Sequence, residues 1–202
     1  MTTPDVIDTL VGIAPGSALD AIRARRTEAR RHAQASYLAL FEPAEPGDVS
    51  LQERFALAHF VSGLHRQPRL DSFYADKLAA SGGSPTLRDA VVAAINMAAS
   101  RGPYGSYPKG PLSREDSPGA ILQIAPATRG ALGERLASAF EHTHMLVYHP
   151  RDSAAPSLQA MLNAGWSTTS VVTVSQLVSF LAFQIRVVVG LRALAAAPGE
   201  PA

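Results

Sequence analysis

The longest unbroken apolar pattern in the chain runs over residues 167–194, with no proline and a single glycine, Gly190, near its end. Val174, Leu177, Val178, Leu181, Ile185, Val188 and Leu191 recur at three- and four-residue steps, which stacks them on one face of a helix. Ser167, Thr168 or Thr169 can cap its start, because a side-chain oxygen there accepts from an amide that lacks a helical partner. Val171, Val172, Phe180, Phe183, Val187 and Val189 fall outside the stripe, so the helix is apolar nearly all round. Such a helix belongs in a core, between subunits or in a membrane. Gln176, Gln184 and Arg186 sit in its middle, and an Arg near a bilayer centre costs about 2.5–3.5 kcal/mol to insert. A buried helix in an all-α protein is therefore expected, with no membrane span.

The remaining pattern is also helical. Residues 5–11 form a short apolar-acidic segment, and 13–16 a turn. Ser17 is placed to cap one helix carrying Leu19, Ile22, Ala29, Ala33, Tyr37 and Leu40. Its other face holds Arg23, Arg25, Arg26, Arg30 and Arg31, read as a solvated face because no aromatics interleave it as a nucleic-acid surface would require. Residues 42–48 are a loop by their Pro and Gly content. Ser50 with Glu53 three residues on is a capping box for a helix carrying Phe55, Leu57, Ala58, Val61 and Leu64 and ending near Gln67 and Pro68. Further helices are predicted over 70–80, from Ser84 to about Ser100, from Thr128 or Gly130 to Tyr148, and over 157–164. Residues 195–202 read as a frayed tail.

Between 101 and 126 the helical pattern fails under repeated Gly and Pro, with Tyr104 and Tyr107 among them and 121–124 as a short extended piece. A loop of that length is uncommon unless it is functional, interfacial or mobile. The organisation expected is one domain over 1–202, with a helical N-terminal extension at 1–48 and this Pro/Gly-rich insertion at 101–126. Residues 51–58 and 132–139 share the form Leu-x-Glu-Arg-x-Ala-x-Ala, and each opens a helix that ends at a Pro. The echo suggests two related helical units, although eight common helix residues also recur by chance.

Composition narrows the chemistry. The formal net charge of +1 gives no long-range field for nucleic acid or an anionic surface. The absence of Cys removes disulfides, thiolate metal sites and cysteine nucleophiles together. The acidic, apolar-poor N-terminus is not a signal peptide, and a cytoplasmic protein is expected. Glu141, His142 and His144 form the densest titratable cluster. Helix positions two apart point roughly 200° from each other, so His142 and His144 do not chelate one metal. Glu141 or His142 is a candidate general acid or base, against the ordinary reading of hydrogen-bonded polar residues. Arg186, inside the apolar helix, is expected to be buried and paired, with Glu53 and Glu134 as partners.

Residues 50–65, and residues 158–167 followed by 172–186, resemble the opening of the active-site helix and the ending of the carboxymuconolactone decarboxylase/AhpD-like superfamily, in its alkylhydroperoxidase or peroxidase-related branch. The resemblance covers about half the chain and implies an all-helical fold assembling into a homo-oligomer, whether dimer, trimer or hexamer. In peroxidase members a Glu, a Cys-x-x-Cys pair and a His form the site; here those positions hold Phe55, Gln67, Leu70 and Tyr74. Dithiol chemistry needs one thiolate to attack and a second thiol to resolve, so this chain cannot perform it. Decarboxylase members also lack the pair. The resemblance then implies a pocket near His59, His65 and Tyr74, in which either histidine is a candidate base and the Tyr74 hydroxyl a candidate donor. The function expected is cysteine-independent chemistry on a small lactone, carboxylate or peroxide-like molecule, without cofactor or metal. The alternative is a non-catalytic subunit that pairs with a cysteine-bearing relative, its 101–126 segment wrapping the neighbour.

Overall fold

In the computed structural model residues 4–197 are described, and they form ten α-helices with no strand. The helices are α1 (Val6–Val11), α2 (Ala18–Ala24), α3 (Thr27–Phe41), α4 (Leu51–Leu64), α5 (Pro68–Ala80), α6 (Pro85–Ala98), α7 (Pro126–Leu132), α8 (Glu134–Tyr148), α9 (Ala155–Asn163) and α10 (Thr168–Ala196). The all-α expectation holds. The last five residues of the expected frayed tail, and residues 1–3 of the N-terminus, lie outside the described residues.

The caps read from the sequence form as expected. Ser167 accepts from the Ser170 amide, Ser84 from Leu87, and Ser50 with Glu53 completes both halves of a capping box. Three predicted helices differ in extent. The first is broken at Arg25 and Arg26, because the flanking turns aim Arg23 and Arg30 at one acidic cluster, Asp5, Asp8 and Asp20. The arginine face is therefore partly an ion-pair network, with Arg23 buried in it, rather than wholly solvated. The helix expected up to Tyr148 is split at Gly133, whose left-handed φ of 80° ends α7 before α8 begins. The helix predicted to begin at Leu70 starts two residues earlier, with Pro68 at its first turn. Residues 121–124 form no strand; the one isolated bridge in the insertion joins Gly105 and Ser117.

Helix α10 runs through the centre, touching α1, α3, α4, α8 and α9. Val174, Leu177, Val178, Leu181, Ile185 and Val188 of the predicted stripe are buried. Its outer side is not: Val172 is 55% exposed, Phe183 45% and Val189 39%. Helix α10 is long and apolar enough to cross a membrane by length and composition, yet its inner stripe is already covered by protein. The N-terminal extension is no appendage, since Val6, Ile7, Leu10, Tyr37 and Phe41 are buried in the same core.

The echo helices α4 and α8 cross under α10. Phe60 and Phe140 stack there with centroids 4.2 Å apart and planes within 7°. Ala56, Ala58, Ala137 and Ala139 are fully buried, which lets the two backbones approach. The echo arginines take similar parts. Arg54 donates to the carbonyls of Leu40, Pro46 and Val49. Arg135 donates to Glu53 at 2.7 Å and to the carbonyls of Asp48 and Gly165, and lies over the Trp166 ring.

Replacing Arg54 with Met keeps most of the stem but leaves three carbonyls without their donor. The expected loss is about 2–4 kcal/mol of unfolding free energy, read by urea denaturation. A change under about 0.5 kcal/mol would show that water replaces the guanidinium at no cost.

Candidate functional site

The C-terminal half of α8 carries the chemistry. One side presents Ser138, Glu141, His142, Met145 and His149 at three- and four-residue steps; Leu146, Val147 and Pro150 lie on another. Two clefts result, one on either side. The 101–124 segment walls both, with Gly102 and Pro103 at the first and residues 121–123 at the second.

That segment folds back on its own chain rather than projecting as an arm. Tyr104 is buried, stacks on His149 at 4.8 Å, donates its hydroxyl to Ala120 O, and receives a hydrogen bond on its own carbonyl from Arg151. The Ser106 and Tyr107 amides donate to Asp152 and Asp116. Leu122 and Ile124 complete the anchor in the core. A side chain at Gly105 would meet the Asp152 carboxylate, and Gly105 also has a left-handed φ of 108°, so glycine is required there twice over.

The first cleft, about 500 Å³, is lined by His65, Tyr148, Ser179 and Arg186 among apolar residues. His65 caps the end of α4, and its Nε2 is shielded from water without a partner. Burial, helped by the positive charge of Arg186, holds its pKa below the ordinary 6.5, so the ring is neutral at pH 7. Tyr148 donates its hydroxyl to Leu64 O at 2.9 Å and fixes the floor. Arg186 is exposed on α10, and among the described residues its only hydrogen bond is to Ala182 O, one turn back on its own helix. The expected pairing of Arg186 with Glu53 or Glu134 does not occur, because those carboxylates are taken by Arg135 and Arg129. Among the described residues no Asp or Glu lines this cleft.

The second cleft, about 290 Å³, is lined by Glu141, His142, His149, Asp152 and Ser157, with Ile121, Leu122 and Met145 as its apolar side. His149 Nδ1 stands 3.1 Å from Asp152 Oδ2. Glu141 accepts from Arg129 and from the Ile124 amide. His142 is buried, and that burial lowers its pKa. His144 lies inward between these groups, edge-on to Tyr148 and His149; burial first and the His149 charge second push its pKa down to about 4.

The five residues picked from the sequence are thus dispersed. His65 lines the first cleft, and Glu141 and His142 line the second. His59 is buried between α4 and α5 with its Nε2 3.2 Å from Asp71 and lines neither cleft. Tyr74 is fully buried against Phe41 and Phe73 and donates to Gln184, so its hydroxyl faces the core rather than a ligand; burial drives its pKa well above 10. The pocket expected near His59, His65 and Tyr74 is not formed by those three together. Sequence reasoning missed His149 and Asp152, although an i, i+3 His–Asp pair beside a Pro was the available signal. Among the described residues no group of three His, Asp or Glu side chains is placed to hold a metal ion. Compared with models of protein families, with curated proteins and with solved structures, the chain has no match.

The buried histidines make stability pH-dependent. For His144 the folded pKa lies below the unfolded one, so as pH falls from about 6.5 to 4 the unfolded chain takes up a proton that the fold refuses. Stability is complete above pH 6.5 and is lost on acidification through that window, by on the order of 3 kcal/mol for this group. His65 and His142 act in the same direction. Urea unfolding of His144→Gln is expected to show a shallower loss between pH 6.5 and 4 than the parent chain. Identical slopes would assign the acid sensitivity elsewhere.

Proposed function

We propose that the protein is a cysteine-independent enzyme acting on a small carboxylate or lactone, built on a helical scaffold of the carboxymuconolactone decarboxylase/AhpD-like kind. The observation that carries this is the pairing, in one cleft lining, of a neutral sheltered imidazole with a cation that no carboxylate among the described residues neutralises: His65 and Arg186. Arg186 is suited to hold an anionic group, since its guanidinium presents several donors and keeps its charge at any working pH. His65 is suited to take or return a proton on the same molecule, because a base must be unprotonated to act. Gly102, Pro103, Val178 and Ala182 give the substrate an apolar bed. No step involves a thiol, in keeping with the chain's composition.

A second reading rests on the outer face of α10. Val172, Phe183 and Val189 are exposed there beside a groove that includes Leu40 and Leu158. Apolar side chains in such a row support a subunit interface. It would serve a homo-oligomer of two, three or six chains, or a non-catalytic subunit paired with a cysteine-bearing relative.

Small carboxylates are expected to bind saturably by calorimetry, and Arg186→Gln to weaken them at least tenfold. In a panel of lactones and oxo-acids, His65→Gln is expected to cut turnover by about 10²–10⁴-fold while leaving carboxylate affinity within a few-fold. Carboxylate binding with no turnover anywhere in the panel would favour the non-catalytic subunit. For the interface, Phe183→Glu is expected to reduce the mass seen by light scattering toward a monomer without changing the melting temperature by more than a few degrees. A monomeric parent chain would remove the oligomer from the proposal.

A further inference from the structure

The second cleft differs from the first in the sign of its lining. The first holds one Arg and no acid; the second holds two carboxylates, Glu141 and Asp152, and neither Lys nor Arg. Arg129 neutralises Glu141 from outside the lining. Among the described residues Asp152 has no Lys or Arg partner; it accepts from His149 and the Ser106 amide, and its side chain is about one-third exposed.

His142 adds an acceptor rather than a donor. Ser175 spends its hydroxyl proton on Val171 O at 2.9 Å, so toward His142 it acts as acceptor, and His142 Nε2, 3.4 Å away, carries the hydrogen. The other nitrogen of the neutral ring, Nδ1, is then a lone pair, buried and unpartnered. His149 Nδ1 donates to Asp152, and its Nε2 is also buried and unpartnered. Each ring is 97% removed from solvent, His142 and His149 both being 3% exposed. A buried acceptor without a donor is unfavourable, and a ligand supplying an N–H group would relieve it. The remaining wall, Ile121, Leu122 and Met145, is apolar.

We propose that this cleft binds a small organic ammonium ion: a primary amine whose N–H groups meet Asp152 and the His142 acceptor and whose hydrocarbon body lies on Ile121, Leu122 and Met145. An ammonium has three donors and no acceptor, the complement of a wall with an acceptor and a carboxylate that neither Lys nor Arg neutralises among the described residues. A carboxylate is disfavoured by the same groups. The site stands independently of the His65–Arg186 reading, since α8 separates the two clefts.

The test uses the full chain with histidine rings isotopically labelled, titrated with n-butylammonium chloride and, separately, with sodium butyrate at matched ionic strength. Butylammonium is expected to shift the His142 and His149 ring resonances saturably, and butyrate to leave them in place. Asp152→Asn is expected to weaken butylammonium at least tenfold, and Arg186→Gln to leave it within twofold. Because Asp152 also tethers the Ser106 amide, Ala160→Phe serves as a second variant: it fills the cleft from α9 without removing a hydrogen bond, and is expected to abolish the shifts. Absence of saturable shifts in the parent chain, or undiminished binding in Ala160→Phe, overturns the proposal.

Discussion

The stack of Phe60 on Phe140 is the contact on which the remaining geometry depends. It holds α4 and α8 at a distance only the flanking alanines permit, and α10 lies across the pair. With the crossing set, Arg135 reaches from the start of α8 to Glu53 at the start of α4 and to the turn before α10. One guanidinium thus ties three helix beginnings, and the Trp166 ring covers its face while donating to Arg135 O. A cation so engaged shares its charge among an acid and two carbonyls, which offsets the desolvation cost of a half-buried Arg.

From that crossing the end of α8 is left standing between two hollows. The 101–124 segment makes them clefts rather than open grooves, and it is held in place by the residues it covers: Tyr104 on His149, Ser106 on Asp152 and Ile124 on Glu141. The same side chains therefore serve the loop and the lining. The charge is partitioned as well, with Arg186 lining one side and the Glu141 and Asp152 carboxylates the other. Burial keeps His65, His142 and His144 neutral near pH 7, so the clefts differ through their fixed charges rather than through titration of these rings.

Much of the fold was legible because it is written locally. A capping serine, a glycine at a left-handed position and apolar residues at helical steps act within a few positions of each other, and the structure places Ser50, Ser84, Ser167 and the α10 stripe as that logic requires. The break at Gly133 was carried by a single residue inside an otherwise continuous pattern, and the break at Arg25 and Arg26 by ion pairs to residues up to 22 positions away. The candidate site was legible only in part. His65, Glu141 and His142 lie at clefts, but His59 and Tyr74 do not, because a helix has several faces and the sequence does not say which one meets a neighbour.

By itself the sequence determined that the chain is all-α, where most of its helices begin, and that it supplies no cysteine thiol of its own. Those are consequences of periodicity, caps and composition. Only the tertiary structure decided partners. Arg186 was expected to be a buried, paired charge; it is exposed, because the carboxylates in question are claimed by Arg129 and Arg135 on α7 and α8. The outer face of α10 was expected to be covered and is open within the chain, because three- and four-residue spacing reports how apolar a helix is but not how many neighbours it has.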